Sequence, residues 1–232
     1  ITVKASGKNL NNDFYAGTTV ASASLVISDG NSTIASEYVP MYGTEDTTLA
    51  TIYYTTSDNQ PASYKIESQE GFVSNVVANG QGIIRFDRKI TEICAYAFAG
   101  CENLTSITMP NSVTKIGDSA FQSCYKLKTV TMPDSVKEID RYAFAICSVL
   151  TNFEIPKGVT KIGNNAFQSC KGLTNITIPN SITAIDDYTF QSCTGLTSVT
   201  IPDSVVAIGN GAFRECKGLT SITIPNRVKT IN

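Results

Sequence analysis

The feature that most constrains this chain is a phrase of 23 residues that returns six times in constant register. Three of its positions show the step most clearly: Pro110, Pro133, Pro156, Pro179, Pro202 and Pro225; Phe98, Phe121, Phe144, Phe167, Phe190 and Phe213; and Cys101, Cys124, Cys147, Cys170, Cys193 and Cys216. So short a unit cannot bury its own apolar face, and successive units must stack around one shared core. The repeat therefore predicts a solenoid over residues 81–232.

Each unit of the repeat contains two extended pieces and one turn. The first piece alternates apolar and hydroxyl residues, as in Leu-Thr-Ser-Ile-Thr-Ile, which is the period of a β-strand, and the proline that follows ends it. A second short strand is predicted at residues 113–116 and at the equivalent residues of the other units. We predict that a Gly or Asp then starts one helical turn that carries the Ala-Phe pair, with Asp140 and Asp186 as N-caps. Stacked units then form parallel sheets beside a spine of phenylalanines.

The two ends of the array differ from its middle. Residues 82–86, moved by one repeat, fall on the first strand of the next unit, so we expect the solenoid to start there with a degenerate unit. At the other end the sequence stops at Asn232, directly after the apolar Ile231, and no polar cap follows. Because solenoids need capped ends for solubility, we expect that the natural chain continues or that another chain, including a second copy of this one, covers this end.

Residues 1–80 lack the repeat and are rich in strand-forming side chains. Strands are predicted at residues 18–27, 49–55, 62–66 and 73–77, with turns at Asp29-Gly30 and at residues 57–59. We interpret this segment as a small β-sandwich or a β-rich cap over the N-terminal edge of the solenoid; the alternative is a run of decayed repeats. The fold class predicted for the whole chain is an α/β repeat solenoid, mainly β, preceded by a β-rich domain.

The recurring cysteine admits four interpretations, as a disulfide, a metal ligand, a reactive thiol or a packing residue. Equivalent cysteines of stacked coils are about 4.8 Å apart with parallel side chains, whereas a disulfide needs converging Cβ atoms ~3.5 to 4.5 Å apart. A straight ladder of thiols does not converge on a zinc ion either. We predict that the ladder cysteines are small, buried packing residues. Cys94 lies outside the ladder and is the one thiol expected to be partly exposed.

Composition argues against several classes of function. The chain contains no histidine, which removes Ser-His-Asp and Cys-His catalysis and imidazole metal ligands. Its net charge is −2, and it has no basic run with interleaved aromatic residues, so no nucleic-acid partner is expected. The longest apolar runs are far shorter than the ~20 residues that cross a bilayer. Asp140 and Asp186 are on the order of 10 Å apart, near the upper separation for an inverting glycosidase, but capping explains them better. We expect no enzyme activity, no cofactor, no metal and no membrane insertion.

The repeat resembles the BspA-like class of leucine-rich repeats. It matches the phrase Leu-x-x-Ile-x-Ile-Pro-x-x-Val-x-x-Ile-x-x-x-Ala-Phe-x-x-Cys of that class over residues 82–232. The class is found mainly in surface-exposed bacterial proteins and in some mucosal protozoa. The resemblance implies a curved, right-handed solenoid on a secreted or cell-surface protein, often one that adheres to host proteins or to other cells. It implies no enzyme activity.

Two ranks of outward-facing residues on the first strand are the candidate binding residues, because in the family geometry they line the concave sheet. They are Ser106, Thr129, Asn152, Asn175, Ser198 and Ser221, and Thr108, Thr131, Glu154, Thr177, Thr200 and Thr223. A soluble, β-favouring face in which Thr packs beside Thr explains the same residues equally well. The ranks contain no Tyr, Trp or Arg, which are the usual hot-spot residues of protein interfaces.

Together these observations predict a non-enzymatic, extracellular recognition or adhesion module. We expect it to bind a protein or glycan of a host or neighbouring cell through repeated surface positions, where many weak contacts add up. The alternative is a structural spacer or self-assembling repeat unit that displays the N-terminal domain.

Overall fold

The computed structural model of the chain describes residues 2–6, 21–28, 33–41, 49–62, 65–151 and 153–232. Its residues group into two units, Ile1–Thr48 and Leu49–Asn232. In the first unit, β1 (Thr2–Ser6), β2 (Ala21–Ser28) and β3 (Thr33–Met41) form an antiparallel sheet in the order β1-β2-β3. The strand predicted at residues 18–27 corresponds to β2. The turn predicted at Asp29-Gly30 lies outside the described residues.

The second unit begins with three strands that do not belong to the repeat. They are β4 (Thr51–Thr56), β5 (Phe72–Ala78) and β6 (Gln81–Phe86), and a 3₁₀ helix lies at Lys65–Ser68 between β4 and β5. β4 and β5 confirm the strands predicted at residues 49–55 and 73–77. The strand predicted at residues 62–66 is wrong, because Ile66 is buried within the 3₁₀ helix instead.

A two-residue turn connects β5 to β6. Asn79 and Gly80 both have positive φ, 52° and 75°, and Ala78 pairs with Gln81 across the turn. Asn-Gly is the dipeptide that favours such a hairpin, since both residues tolerate the left-handed conformation.

From residue 92 onward the chain forms a solenoid with two faces of parallel strands. Its strands are β7 (Glu92–Ile93), β8 (Leu104–Thr108), β9 (Lys115–Ile116), β10 (Thr129–Thr131), β11 (Glu138–Ile139), β12 (Lys161–Ile162), β13 (Asn175–Thr177), β14 (Ala184–Ile185), β15 (Ser198–Thr200), β16 (Ala207–Ile208) and β17 (Thr230–Ile231). β8, β10, β13 and β15 are the first strands of their coils and form the first-strand face; the others form the second-strand face.

Neighbouring coils pair in parallel at a constant offset of 23 residues, as Val130 does with Ile107 and Ile139 with Ile116. The predicted solenoid of parallel strands is confirmed. Within the described ranges, no helix is long and apolar enough to cross a membrane.

β4 takes the place that the sequence assigned to the strand of the first coil. The sheet has the order β10-β8-β4-β6-β5, and β4 is antiparallel to both neighbours: Tyr54 pairs with Gly82 on one side and with Ile107 on the other. The prediction that residues 82–86 form the first solenoid unit is therefore wrong, because β4 separates β6 from β8. For the same reason the unit that contains the solenoid starts at Leu49 and not at the predicted boundary near residue 80.

One side chain closes the N-terminal edge of the second-strand face. The Gln69 amide donates from Nε2 to the carbonyl oxygen of Glu92 at 2.7 Å, and its Oε1 accepts from the backbone N–H of Cys94 at 3.2 Å. The amide thus occupies two backbone groups that a neighbouring strand would otherwise pair. Together with β4, it makes residues 49–86 a cap on the N-terminal edge of both faces.

The segment that carries the Ala-Phe pair consists of two tight turns. In the first coil the Ala97 N–H donates to the Cys94 carbonyl oxygen at 3.2 Å, and the Cys101 N–H donates to that of Phe98 at 3.0 Å. The third residue of each turn has positive φ, 60° at Tyr96 and 74° at Gly100, as in type II turns. The later coils repeat this geometry.

Between these turns, alternate N–H groups donate to the next coil. The Phe98 N–H donates to the Ala120 carbonyl oxygen at 2.7 Å, and equivalent bonds recur at five successive coil junctions, three to each junction; we call this set the turn ladder. The predicted helical turn is therefore wrong, since a helix would satisfy these groups within one coil. Asp140 is not a helix N-cap, because its Oδ1 accepts from the N–H of the next residue, Arg141, at 2.9 Å, and Asp186 holds the same place in another coil without a helix.

The core is built on the repeated phenylalanines. The rings from Phe98 to Phe190 are fully buried, and neighbouring rings stack with centroids 5.1–5.6 Å apart, which confirms the predicted spine. The ladder cysteines are free and buried, as predicted for packing residues. From Cys124 onward each thiol also donates to the carbonyl oxygen of the phenylalanine in the preceding coil, which for Cys124 and Phe98 is a contact of 3.0 Å.

Phe153 interrupts the first-strand face. It occupies the position that Val130 and Ile176 hold in the neighbouring coils. Its ring packs edge-on between Phe144 and Phe167, with its centroid 4.9 Å from each of theirs. Residues 153–155 form no strand, so β8 and β10 lie in one sheet and β13 and β15 in another.

The second-strand face is broken one coil later. β12 pairs with β11 and β14 pairs with β16, but β12 and β14 do not pair. Before the break, in-register residues alternate in charge: Glu92, Lys115, Glu138 and Lys161. Beyond it the same position holds Ala184 and Ala207. As far as the described residues show, only the turn ladder makes backbone hydrogen bonds between the coils of β12 and β14.

Candidate recognition face

The predicted binding ranks lie on the outward side of the first-strand face. Asn152 lies outside the described residues, and Ser106 is partly exposed. The other ten residues are exposed: Thr108, Thr129, Thr131, Glu154, Asn175, Thr177, Ser198, Thr200, Ser221 and Thr223. Exposure on a regular strand surface makes these side chains available to a partner.

The structure brings the ranks together in two groups. In the first group Ser106 pairs with Thr129 and Thr108 with Thr131. In the second, Asn175 pairs with Ser198 and Thr177 with Thr200. Glu154 lies between the groups, where Phe153 interrupts the strands, and Ser221 and Thr223 lie outside any strand. The predicted lattice is therefore divided by a coil that carries the single charge of the ranks.

β4 adds residues to the first group that the repeat does not supply. Tyr53 pairs with Thr108, and 50% of Tyr53 is exposed. The Thr55 Oγ1 lies 2.6 Å from the Ser106 Oγ, so these hydroxyl groups form a hydrogen bond across the antiparallel pair. An aromatic side chain thus stands directly beside the hydroxyl ranks.

The apolar surface continues from β4 across β6 to β5. Tyr53 pairs with Ile83, and Ile83 pairs with Val76. Val76 is 54% exposed and Ile83 is partly exposed. Because residues paired in register point to the same face of a sheet, these three side chains form one exposed strip, which we call the apolar row.

Tyr54 holds the strands of the apolar row together from the inner side. Its ring lies against Gly82, where an added Cβ would come within 2.0 Å of the ring, so a larger residue does not fit there. Its hydroxyl donates to the Asn75 Oδ1. Burial raises the pKa of Tyr54 to about 12, and the hydroxyl therefore keeps its proton, and its role as a donor, at neutral pH.

The thiols of the solenoid are poorly suited to chemistry. Burial raises the pKa of Cys170 and Cys193 well above the ordinary value, and a thiol must lose its proton to act as a nucleophile or metal ligand. Cys94 is partly exposed, as predicted, but burial and the nearby Glu92 raise its pKa too. Across the described part of the chain, no three Cys, Asp or Glu side chains lie close enough to hold a metal ion.

The sequence analysis missed Tyr53, Ile83 and Val76 because it looked for binding residues only within the repeat. The hairpin signal Asn79-Gly80 was available and would have joined β5 to β6. No periodic signal indicates that β4 pairs with β8, because that contact joins a unique segment to a repeated one.

Comparison with known proteins agrees with this architecture. The sequence matches the profile of the BspA type leucine-rich repeat region, in six copies over residues 81–197 and 184–232. A leucine-rich repeat protein from Bacteroides ovatus is 35% identical, with a TM-score of 0.60, over 69% of this chain and 40% of its own. A leucine-rich cell surface protein from Faecalibacterium prausnitzii is 34% identical, with a TM-score of 0.59, over 83% of this chain and 50% of its own. The aligned part thus spans half or less of each of these proteins. No curated protein matches the sequence significantly.

Proposed function

The chain belongs to the BspA-type leucine-rich repeat family, and on that premise we propose that it is a recognition module of a secreted or cell-surface protein. The module binds a protein partner, without catalysis, through the apolar row and the hydroxyl ranks beside it. Its resemblance to a protein described as a cell surface protein supports the location.

The observation that carries this proposal is the exposure of Tyr53 in register with Thr108. Protein interfaces depend on a few aromatic or aliphatic anchors surrounded by polar residues that exclude water. Tyr53, Ile83 and Val76 supply the anchors, and the hydroxyl ranks of β8 and β10 supply a polar surround on one side. The repeat alone lacks such anchors.

The remaining ranks extend the same surface along the solenoid. Asn175, Thr177, Ser198 and Thr200 repeat the polar contacts of the first group. Contacts that are weak one by one gain affinity when they are held at fixed spacing on a rigid surface. Glu154 adds one negative charge between the groups, and it favours a partner with a basic residue at that point.

The proposal is tested by removing the aromatic anchor. Tyr53→Thr gives β4 the residue that flanks this position on the same face, as in Thr51 and Thr55, and so preserves the strand. Biolayer interferometry with immobilised collagen, fibrinogen and laminin, and with serum albumin as the blank, measures binding. A probe that binds should lose affinity about tenfold with Tyr53→Thr.

The matched control is Tyr125→Thr, which changes a 43% exposed tyrosine outside this face and should leave binding unchanged. Equal binding by the wild type and Tyr53→Thr would remove the apolar row from the function. No binding to any probe would favour the alternative, a structural spacer that displays its neighbours.

A further inference from the structure

A second set of tyrosines recurs on the turn side of the solenoid, away from the apolar row. Tyr96, Tyr142 and Tyr188 occupy the same position in every second coil, with φ of 60°, 54° and 56°. The other coils hold Ser119, Asn165 and Gly211 at this position, also at positive φ. Positive φ is tolerated by Gly and Asn but is unfavourable for a bulky aromatic residue. Backbone strain that is retained at a regular surface position is a sign of function.

The rings of these tyrosines lie on the neighbouring coil. A Cβ added to Gly211 would come 2.8 Å from the Cε1 of Tyr188, so this ring rests against the glycine. Ser119 and Asn165, at the position of Gly211, are only 3% and 8% exposed although they are polar. A ring that rests on the coil below it keeps its outer side open to a ligand.

The outer sides are accessible to different degrees. Tyr96 is 47% exposed, with the Lys65 Nζ 6.0 Å from its ring centroid. Tyr142 and Tyr188 are partly exposed. Among the described side chains, none forms a hydrogen bond with the three phenol hydroxyl groups. Aromatic surface and free hydroxyl groups are thus presented together.

A rank of planar polar side chains runs beside the tyrosines, one residue earlier in each coil. It comprises Asp118, Arg141, Asn164, Asp187 and Asn210. The Arg141 Nε donates to the Asp118 Oδ2 at 2.8 Å, and the Asp187 Oδ1 accepts from the backbone N–H of Asn210 at 2.6 Å. Carboxylate, amide and guanidinium groups can each bond two adjacent hydroxyl groups of a sugar.

The spacing of the tyrosines matches one class of glycan. Neighbouring phenylalanine rings in the spine are 5.1–5.6 Å apart, so tyrosines two coils apart are about 10 Å apart. In extended chains of the cellulose or chitin type, each sugar is turned over relative to the one before it. The same apolar sugar face therefore returns every second sugar, at about the same distance, and such faces stack on aromatic rings.

We propose that Tyr96, Tyr142 and Tyr188, with the planar polar rank, bind one extended glycan of this type along the solenoid. Alternate sugars stack on the tyrosines, and the polar rank bonds the hydroxyl groups beside them. This site lies on a different face from the apolar row and takes a different class of ligand, so it stands independently of the proposed protein partner.

Isothermal titration calorimetry with cellohexaose and chitohexaose tests the site. Maltohexaose is the control ligand, because it has the sugar composition of cellohexaose but a curled chain. We expect at least one extended hexasaccharide to bind about tenfold or more tighter than maltohexaose. No binding of either extended probe, or equal binding of maltohexaose, would overturn the proposal.

A matched variant separates binding from packing. Tyr142→Asn copies the residue that the chain itself uses at Asn165, and Asn tolerates positive φ. We expect about tenfold weaker glycan binding with an unchanged melting temperature; Tyr142→Phe, which keeps the ring, should retain most of the affinity. Tyr53→Thr and Tyr125→Asn should bind the glycan like the wild type. Full affinity in Tyr142→Asn, with a lowered melting temperature, would assign the tyrosines to packing alone.

Discussion

The thiol of Cys147 donates a hydrogen bond to the carbonyl oxygen of Phe121, 26 residues earlier in the chain, at 3.1 Å. Both residues are fully buried. The same relationship joins Cys170 to Phe144 at 3.1 Å. The repeated cysteine is therefore a polar link between consecutive coils as well as a packing residue.

Cys147→Ala removes this link. We expect the free energy of unfolding to fall by about 1–3 kcal/mol, because the substitution leaves a small cavity and takes one donor from the Phe121 carbonyl oxygen. Urea denaturation followed by circular dichroism measures the change. Cys94→Ala, at a partly exposed thiol outside the ladder, is the control and should change stability by less than about 0.5 kcal/mol. Equal effects at the two positions would contradict the role of the link.

The buried thiols make stability fall at alkaline pH. Burial raises the pKa of Cys216 from 9.0 to about 11, and that of Cys170 in the same direction. Above pH 9.0 the unfolded chain loses these protons while the folded chain keeps them, so the unfolded state binds fewer protons. This stabilisation is complete below pH 9.0 and is lost as the pH rises through about 11.

Urea midpoints measured from neutral pH to about pH 11 should show the decline. Cys170→Ala is less stable at neutral pH but should lose stability less steeply with rising pH, because it has one fewer shifted thiol. A parallel decline in both proteins would show that other groups cause the alkaline instability.

Phe153→Ile gives the interrupted coil the residue that Ile176 provides in the next one. We expect residues 153–155 to join the strands on either side, with the loss of two edge-on ring contacts worth about 0.5–1.5 kcal/mol each. Hydrogen exchange measured by mass spectrometry should then be slower in this segment. Phe153→Ala forms no better strand and should lower the free energy of unfolding by about 3–5 kcal/mol. Unchanged exchange in Phe153→Ile would mean that the ring is not the cause of the interruption.

Gln69→Ala opens the N-terminal edge of the second-strand face. The Glu92 carbonyl oxygen and the Cys94 N–H lose their partner, which should lower the free energy of unfolding by about 1–3 kcal/mol. Gln69→Glu keeps the acceptor but loses the donor, and its melting temperature should fall between those of the wild type and Gln69→Ala. Gln81→Ala, at an exposed position on β6, is the control. A Gln69→Ala protein as stable as the Gln81→Ala protein would argue against this cap.

The sequence predicted what the period controls. The step of 23 residues is a statement about which residues become neighbours, and for that reason the pairing of Ile139 with Ile116 and the stacking of Phe121 on Phe144 were predictable. The alternating strand pattern likewise placed Thr108 and Thr131 side by side on the outward face.

The failures lie where a unique contact overrides local preference. Ala97 and Phe98 favour a helical turn by themselves, but the Phe98 N–H bonds to the next coil, a partner that no local pattern indicates. Residues 82–86 have the spacing of a repeat strand, yet β4 pairs with β8 in their place. The exposure of Tyr53 follows from that same pairing, and so the apolar anchor of the recognition face could not be found from the period.

The missing strand pair between β12 and β14 determines how the solenoid responds to force. At every other junction the coils share at least one strand pair; here the described backbone is joined only along the turn side. Bending that opens the strand side breaks no strand hydrogen bond, so this junction acts as a hinge. Under tension along its axis the array should yield here first, as two elastic blocks, β7–β12 and β13–β17, that each keep their own core.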